Sequence, residues 1–164
     1  MDWFVAHTKS RHERTVRDSL VQSGITVFLP EHTVWSRRRD RRKKITVPLF
    51  SGYLFVAPEG QEGWMRRVIT TRSVVRILGL NGHPMPVLER EVESLRVLVG
   101  SDECLEPVSY INLGDVVRVE EGPLTGAEGV VVRKGKKDYL VVSVGLMQRS
   151  VSVELTESQL AKIS

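Results

Sequence analysis

Between Gly114 and Val131 the chain reads Gly-Asp-Val-Val-Arg-Val-Glu-Glu-Gly-Pro-Leu-Thr-Gly-Ala-Glu-Gly-Val-Val. Gly114, Gly122, Gly126 and Gly129, with Pro123, stand at set offsets between two runs rich in valine. Glycine permits turns and close backbone approach, and proline presets a turn. The segment reads as a strand, a Gly-Pro turn, a glycine-bearing loop and a returning strand. A helix is a poor alternative. Each such glycine would cost about 1 kcal/mol relative to alanine inside it, and Pro123 about 3 kcal/mol. Residues 139–155 add five valines, whose branched Cβ favours pleated packing. The runs Asp115–Val119, Gly129–Arg133, Tyr139–Val144 and Ser150–Leu155 predict a small all-β barrel over residues 110–164.

The first hundred residues alternate strand and helix patterns instead. Trp3–Thr8 reads as a buried strand. Ser10 and Glu13 have the spacing of a capping box, Val16 and Leu20 share a helix face, and Gly24 suits the helix end. Strands follow at Ile25–Leu29 and Gly52–Val56, with a hairpin between them flanked by Thr33–Ser36 and Ile45–Val47. Trp64–Ile69 fits a short helix, Val74–Leu78 a strand, and Asn81-Gly82 a turn. Glu89–Val99 fits a helix with Val92, Leu95 and Val99 on one side. The expectation is an α+β chain: an α/β sandwich over 1–99, a linker over 100–109, and the barrel over 110–164.

The hairpin tip carries Arg37, Arg38, Arg39, Asp40, Arg41, Arg42, Lys43 and Lys44, seven cations and one aspartate. That local excess of six compares with +4 for the whole chain, so the basicity is one local feature. It suggests a docked polyanion, nucleic acid first and an anionic membrane surface second. Composition excludes other classes. There is no run of about 18 apolar residues to span a membrane and no signal-peptide pattern at the N-terminus. One cysteine, Cys104, excludes an internal disulfide and points to a reducing, cytoplasmic setting. His7, His12, His32 and His83 form no metal-ligand spacing, and no phosphate loop or nucleophile elbow is present. The expectation is a non-enzyme without metal or cofactor.

The glycine-rich segment, through Gly114, Asp115, Gly122, Pro123, Gly126 and Gly129, resembles a KOW motif, the signature of SH3-like barrels. The resemblance extends along the chain. The opening Trp-Phe-Val strand, the basic helix, Pro48–Val56, Thr71-Arg72-Ser73-Val74 and the tail Leu146-Met147-Gln148-Arg149-Ser150-Val151 occur in the order found in NusG-like transcription elongation and antitermination factors. The basic loop and tail look more like the specialised, operon-directed antiterminators of the RfaH and UpxY type than like the family's housekeeping members. The resemblance implies a ferredoxin-like NGN domain that binds the clamp region of RNA polymerase, joined to a KOW domain.

The resemblance also implies roles for particular residues. Val5, His7, Tyr53 and Phe55 match the polymerase-contacting positions. Alternation independently puts Tyr53 with Phe55, and Val5 with His7, each on one apolar strand face. Two or three short helices cover only one face of a small sheet, so this face is expected to stand open. Lys9, Thr71 and Arg72 match positions beside the non-template DNA of the transcription bubble. Arg11 and Arg14 on the basic helix and the cations of 37–44 extend that set. Leu146, Met147 and Arg149 match positions where the family's barrel meets a small-subunit ribosomal protein or Rho. Met147 replaces an aromatic common there, which argues against Rho. Trp64-Met65-Arg66 occupy the stretch of a His-Thr-Thr motif. The expected protein is a monomer that reduces pausing or termination. The alternative is a ribosome-associated or general RNA-binding KOW protein.

Overall fold

A computed structural model describes residues 1–37, 42–111 and 113–161. Arg38, Arg39 and Arg41 of the basic run lie outside the described residues. The fold is α+β, an α/β sandwich followed by a smaller unit built on a five-stranded antiparallel sheet. The N-terminal elements are β1 (Phe4–Thr8), α1 (Glu13–Gln22), β2 (Thr26–Phe28), β3 (Glu31–Trp35), β4 (Lys44–Pro48), β5 (Tyr53–Ala57), α2 (Trp64–Ile69), β6 (Val74–Ile77), β7 (Gly79–Leu80), β8 (His83–Pro84) and α3 (Glu89–Gly100). Their main sheet has the order β2-β5-β1-β6. β3 and β4 form a separate hairpin, as the flanks of the basic run predict, and β7 and β8 turn at Asn81-Gly82.

The second half comprises β9 (Leu105–Val108), β10 (Val116–Arg118), β11 (Glu128–Lys134), β12 (Lys137–Val144), a 3-10 turn at Gly145–Met147, β13 (Arg149–Leu155) and α4 (Glu157–Ala161). The strands form one antiparallel sheet, order β10-β11-β12-β13-β9. β9 falls inside the stretch expected as a linker. It continues the barrel sheet by pairing with β13. Gly129 marks the closest approach within the glycine-rich segment. A Cβ there would sit 2.4 Å from the Val141 carbonyl oxygen, so only glycine fits.

The expected capping box is absent. Arg11 turns the chain in the left-handed region (φ 69°), and α1 begins only at Glu13. His12 takes the cap position without a side-chain cap, and Ser10 Oγ faces Ser51 Oγ instead. Among the described residues, no helix is long and apolar enough to cross a membrane.

Two apolar clusters form the core. Ala6, Leu54 and Val56 of the main sheet pack with Val16, Leu20 and Val68 from α1 and α2. Trp3, Val5, Phe55 and Ala57 point to the other side. They join Val92, Leu95 and Leu98 of α3 and, without a break, Val119, Leu140, Val142, Val144 and Val151 of the barrel.

Candidate functional site

The sheet pairing brings the four strand residues together as alternation requires. Val5 lies opposite Phe55, and His7 opposite Tyr53. His7 stacks on Tyr53 with ring centroids 4.9 Å apart, and Phe55 stacks on Phe28 at 5.8 Å. Trp3 meets Phe28 edge-on, and the Arg96 guanidinium lies over both rings, 4.9 and 5.1 Å from their centroids.

The face does not stand open. Val5 and Phe55 are completely buried, while His7 and Tyr53 are half-buried at its margin. Arg149 of the barrel lies over the Tyr53 ring, 5.8 Å from its centroid. The expectation of an available face, separated from the barrel by a flexible linker, is therefore corrected. α1 and α2 cover one side of the sheet, but α3 lies across the other and the barrel packs on α3.

The amphipathic pattern of α3 carries this signal on two sides, one more than Val92, Leu95 and Val99 define. Val92, Leu95 and Val99 form one side. Glu91, Ser94 and Leu98 form a second, about a third of a turn away at 100° per residue. The Ser94 hydroxyl accepts the Glu128 backbone N–H at 2.8 Å and is buried. The Glu91 carboxylate accepts the Gly145 N–H at 3.4 Å. A helix with buried residues on two sides needs two partners.

Burial pushes the Glu91 carboxyl above its ordinary value of 4.5, against the opposing pull of the Gly145 N–H, Arg90 and the Leu88 backbone. A raised folded-state pKa adds stability that is complete below about 4.5 and is lost as pH rises through the folded value. Glu91→Gln keeps an acceptor for Gly145 without the buried charge. It should raise the thermal midpoint at pH 7, and the gain over the parent should shrink as pH falls towards 4. A gain that persists undiminished at low pH would contradict this assignment.

The expected nucleic-acid residues separate into three groups. The turn before α1 meets the turn that leads from α2 into β6. The Lys9 N–H donates to the Ser73 carbonyl at 2.9 Å, and His12 Nδ1 lies 2.8 Å from Ser73 Oγ. Lys9, Arg11 and Arg72 are exposed around this junction. Thr71 belongs to it by position, but its hydroxyl donates to the Arg67 carbonyl at 2.7 Å. Arg14 is engaged elsewhere: it pairs with Glu31 at 2.6 Å and donates to the Thr46 carbonyl, tying α1 to the β3–β4 hairpin. Arg37, Arg42, Lys43 and Lys44 are exposed on that hairpin.

In the barrel, Gly114, Gly122 and Gly126 have positive φ, as the turn reading requires. Asp115 is exposed beside Gly114, and Pro123 follows Gly122 in its turn. Of the three expected partner-binding residues, Met147 is buried in the shared core, Leu146 packs against it, and only Arg149 is exposed. Among the described residues no group of three or more His, Cys, Asp or Glu side chains could hold a metal ion.

A family model described as "Transcription termination factor nusG" matches residues 1–96. The chain is 30% identical to the transcription termination/antitermination protein NusG of Pseudomonas aeruginosa, with 98% of each chain covered. It is 29% identical to the NusG of Vibrio vulnificus, over 98% of this chain and 95% of that one. Among solved structures it resembles one titled "Domain interaction in Thermotoga maritima NusG". The TM-score is 0.58 at 20% identity, covering 99% of this chain and 96% of the other.

Proposed function

The chain belongs to the NusG family of transcription factors, and from that premise we propose that it binds elongating bacterial RNA polymerase through the Val5, His7, Tyr53 and Phe55 face of its N-terminal domain. Held across the polymerase clamp, it would favour the elongating state and reduce pausing or termination. Such activity requires preferential binding to one polymerase state and no bond chemistry. The observation that carries this reading is the aromatic face itself. Three strands and Trp3 gather Trp3, Val5, Phe28, Tyr53 and Phe55 into one apolar cluster, with Phe28 and Tyr53 at its partly exposed margin. Aromatic side chains are the anchors that dominate protein interfaces.

The conformation described above is then the closed form, and polymerase binding requires the barrel to leave Tyr53. Lys9, Arg11 and Arg72 would contact the non-template DNA strand, with Thr71 fixing the end of α2. Once released, the barrel would present Leu146, Met147 and Arg149 to a further factor such as a small-subunit ribosomal protein. The resemblance of the basic hairpin and tail to operon-directed antiterminators supports a specialised role. A transcriptome in which deletion alters a few operons, and not most genes, is the outcome that role requires.

Affinity purification of the full chain from a bacterial lysate tests the main reading. Polymerase subunits should co-purify, and the purified protein should shorten pauses on a reconstituted bubble template. Recovery of ribosomal RNA without polymerase would overturn it in favour of a ribosome-associated KOW protein.

A further inference from the structure

Trp35 is the most exposed aromatic among the described residues, with 61% of its surface open, whereas Trp3 is 2% exposed. It ends β3 directly opposite Lys44, at the mouth of the basic hairpin. The Lys44 ammonium lies 5.5 Å from the indole centroid. The ring is one of the side chains lining an open groove of about 680 Å³, with His32, Val34, Arg37, Ile45 and Val47. Arg37, Arg42 and Lys43, close to Trp35 in sequence on the two arms of the hairpin, are exposed.

We propose that Trp35 is a stacking platform for an unpaired DNA base, with the flanking cations holding the neighbouring phosphates. An aromatic face beside a positive groove is the combination that binds single strands without sequence readout, because every base has a π face and every phosphate a charge. A duplex keeps its bases stacked on one another and presents none to the indole. Arg14 ties the base of the hairpin to α1 through Glu31 and Thr46, and Lys9 and Arg11 stand just before that helix, beside Arg72. The assignment of DNA as the single strand rests on the proposed function, whereas the stacking contact rests on the hairpin alone.

The test uses the full chain without polymerase, so the two readings can fail separately. Anisotropy of fluorescein-labelled dT15 is titrated over a range of salt, beside a blunt duplex of the same length. Trp35→Ala should weaken dT15 binding about ten-fold. Its log–log salt slope should be unchanged, because stacking releases no counterions, and its duplex affinity should also be unchanged. Trp35→Phe should restore most of the loss. Replacing Arg37, Arg42, Lys43 and Lys44 with serine should instead flatten the slope by about 0.7 for each phosphate contact removed. Wild-type dT15 affinity in Trp35→Ala, or an equal loss on the duplex, would overturn the platform. Tighter binding to rU15 than to dT15 would overturn the DNA assignment. Trp35-dependent binding to phosphatidylserine vesicles without dT15 binding would make the hairpin a membrane contact instead. Failure to bind polymerase, with the Trp35 effect on dT15 intact, would remove the proposed function and leave the platform standing.

Discussion

Phe55→Ala should lower the stability of the full chain by about 3–5 kcal/mol, the usual cost of emptying a buried aromatic site. Phe55 has no exposed surface, stacks on Phe28 and faces Val5 across the strand pair. Its removal would leave a cavity bounded by β-sheet backbone, which cannot collapse to fill it. For a chain of this size each kcal/mol lowers the melting temperature by about 2–4 °C, so a fall of about 10 °C is expected. Tyr53→Ala should cost much less, because Tyr53 is half-exposed and its outer contact is the Arg149 guanidinium. Both substitutions should weaken polymerase binding, but only the first should do so with a large calorimetric change. A loss below about 1 kcal/mol for Phe55→Ala would contradict its place in the buried core.

Ser94→Asp should produce the largest functional change, a gain in polymerase affinity. Ser94 is 1% exposed, and its hydroxyl accepts the Glu128 N–H across the contact between α3 and the barrel. An aspartate there would bury a carboxylate one turn from Glu91 and beside Glu128, at a cost the contact is not built to offset. Each domain keeps its own sheet when the contact breaks, so opening is the cheaper response. A protein that binds only when open has an apparent Kd raised by the reciprocal of its open fraction. If the closed form holds about 99% of the molecules, full opening tightens apparent binding on the order of 100-fold. Isothermal titration with polymerase, together with the rotational correlation times of the two domains by NMR, measures both halves of the argument. Independent tumbling with unchanged or weaker polymerase affinity would show that the barrel does not mask the site.

Local pattern predicted much of this molecule. The alternation in β1 and β5 put Val5 with His7 and Tyr53 with Phe55 on one face, because successive side chains in a strand point to opposite sides. Trp64–Ile69 matches α2, and the flanks of the basic run match β3 and β4. The barrel strands follow the valine runs, and the turns follow Gly114, Gly122 and Gly126, where positive φ admits few other residues. Family resemblance, carried by the same glycines and by the Pro48–Val56 strand, led to the matching family.

Sequence by itself determined the elements, their inward and outward sides, the turns and the concentration of charge in one hairpin. These depend on periods of two or 3.6 residues and on backbone conformations a residue can or cannot adopt. Tertiary structure alone decided what covers each side. Ser10 has the right spacing for a cap, yet Arg11 turns the chain before the helix starts. Arg14 looks like one more free cation until Glu31, 17 residues away, is brought against it. Leu98 and Ser94 mark a second side of α3 without saying that β11 and β12 will occupy it. Phe55 reads equally well as a docking surface or as core, since both are apolar. The difference is whether α3, with the barrel packed on it, closes over that side, and contacts between residues so distant in the chain leave no period in the sequence.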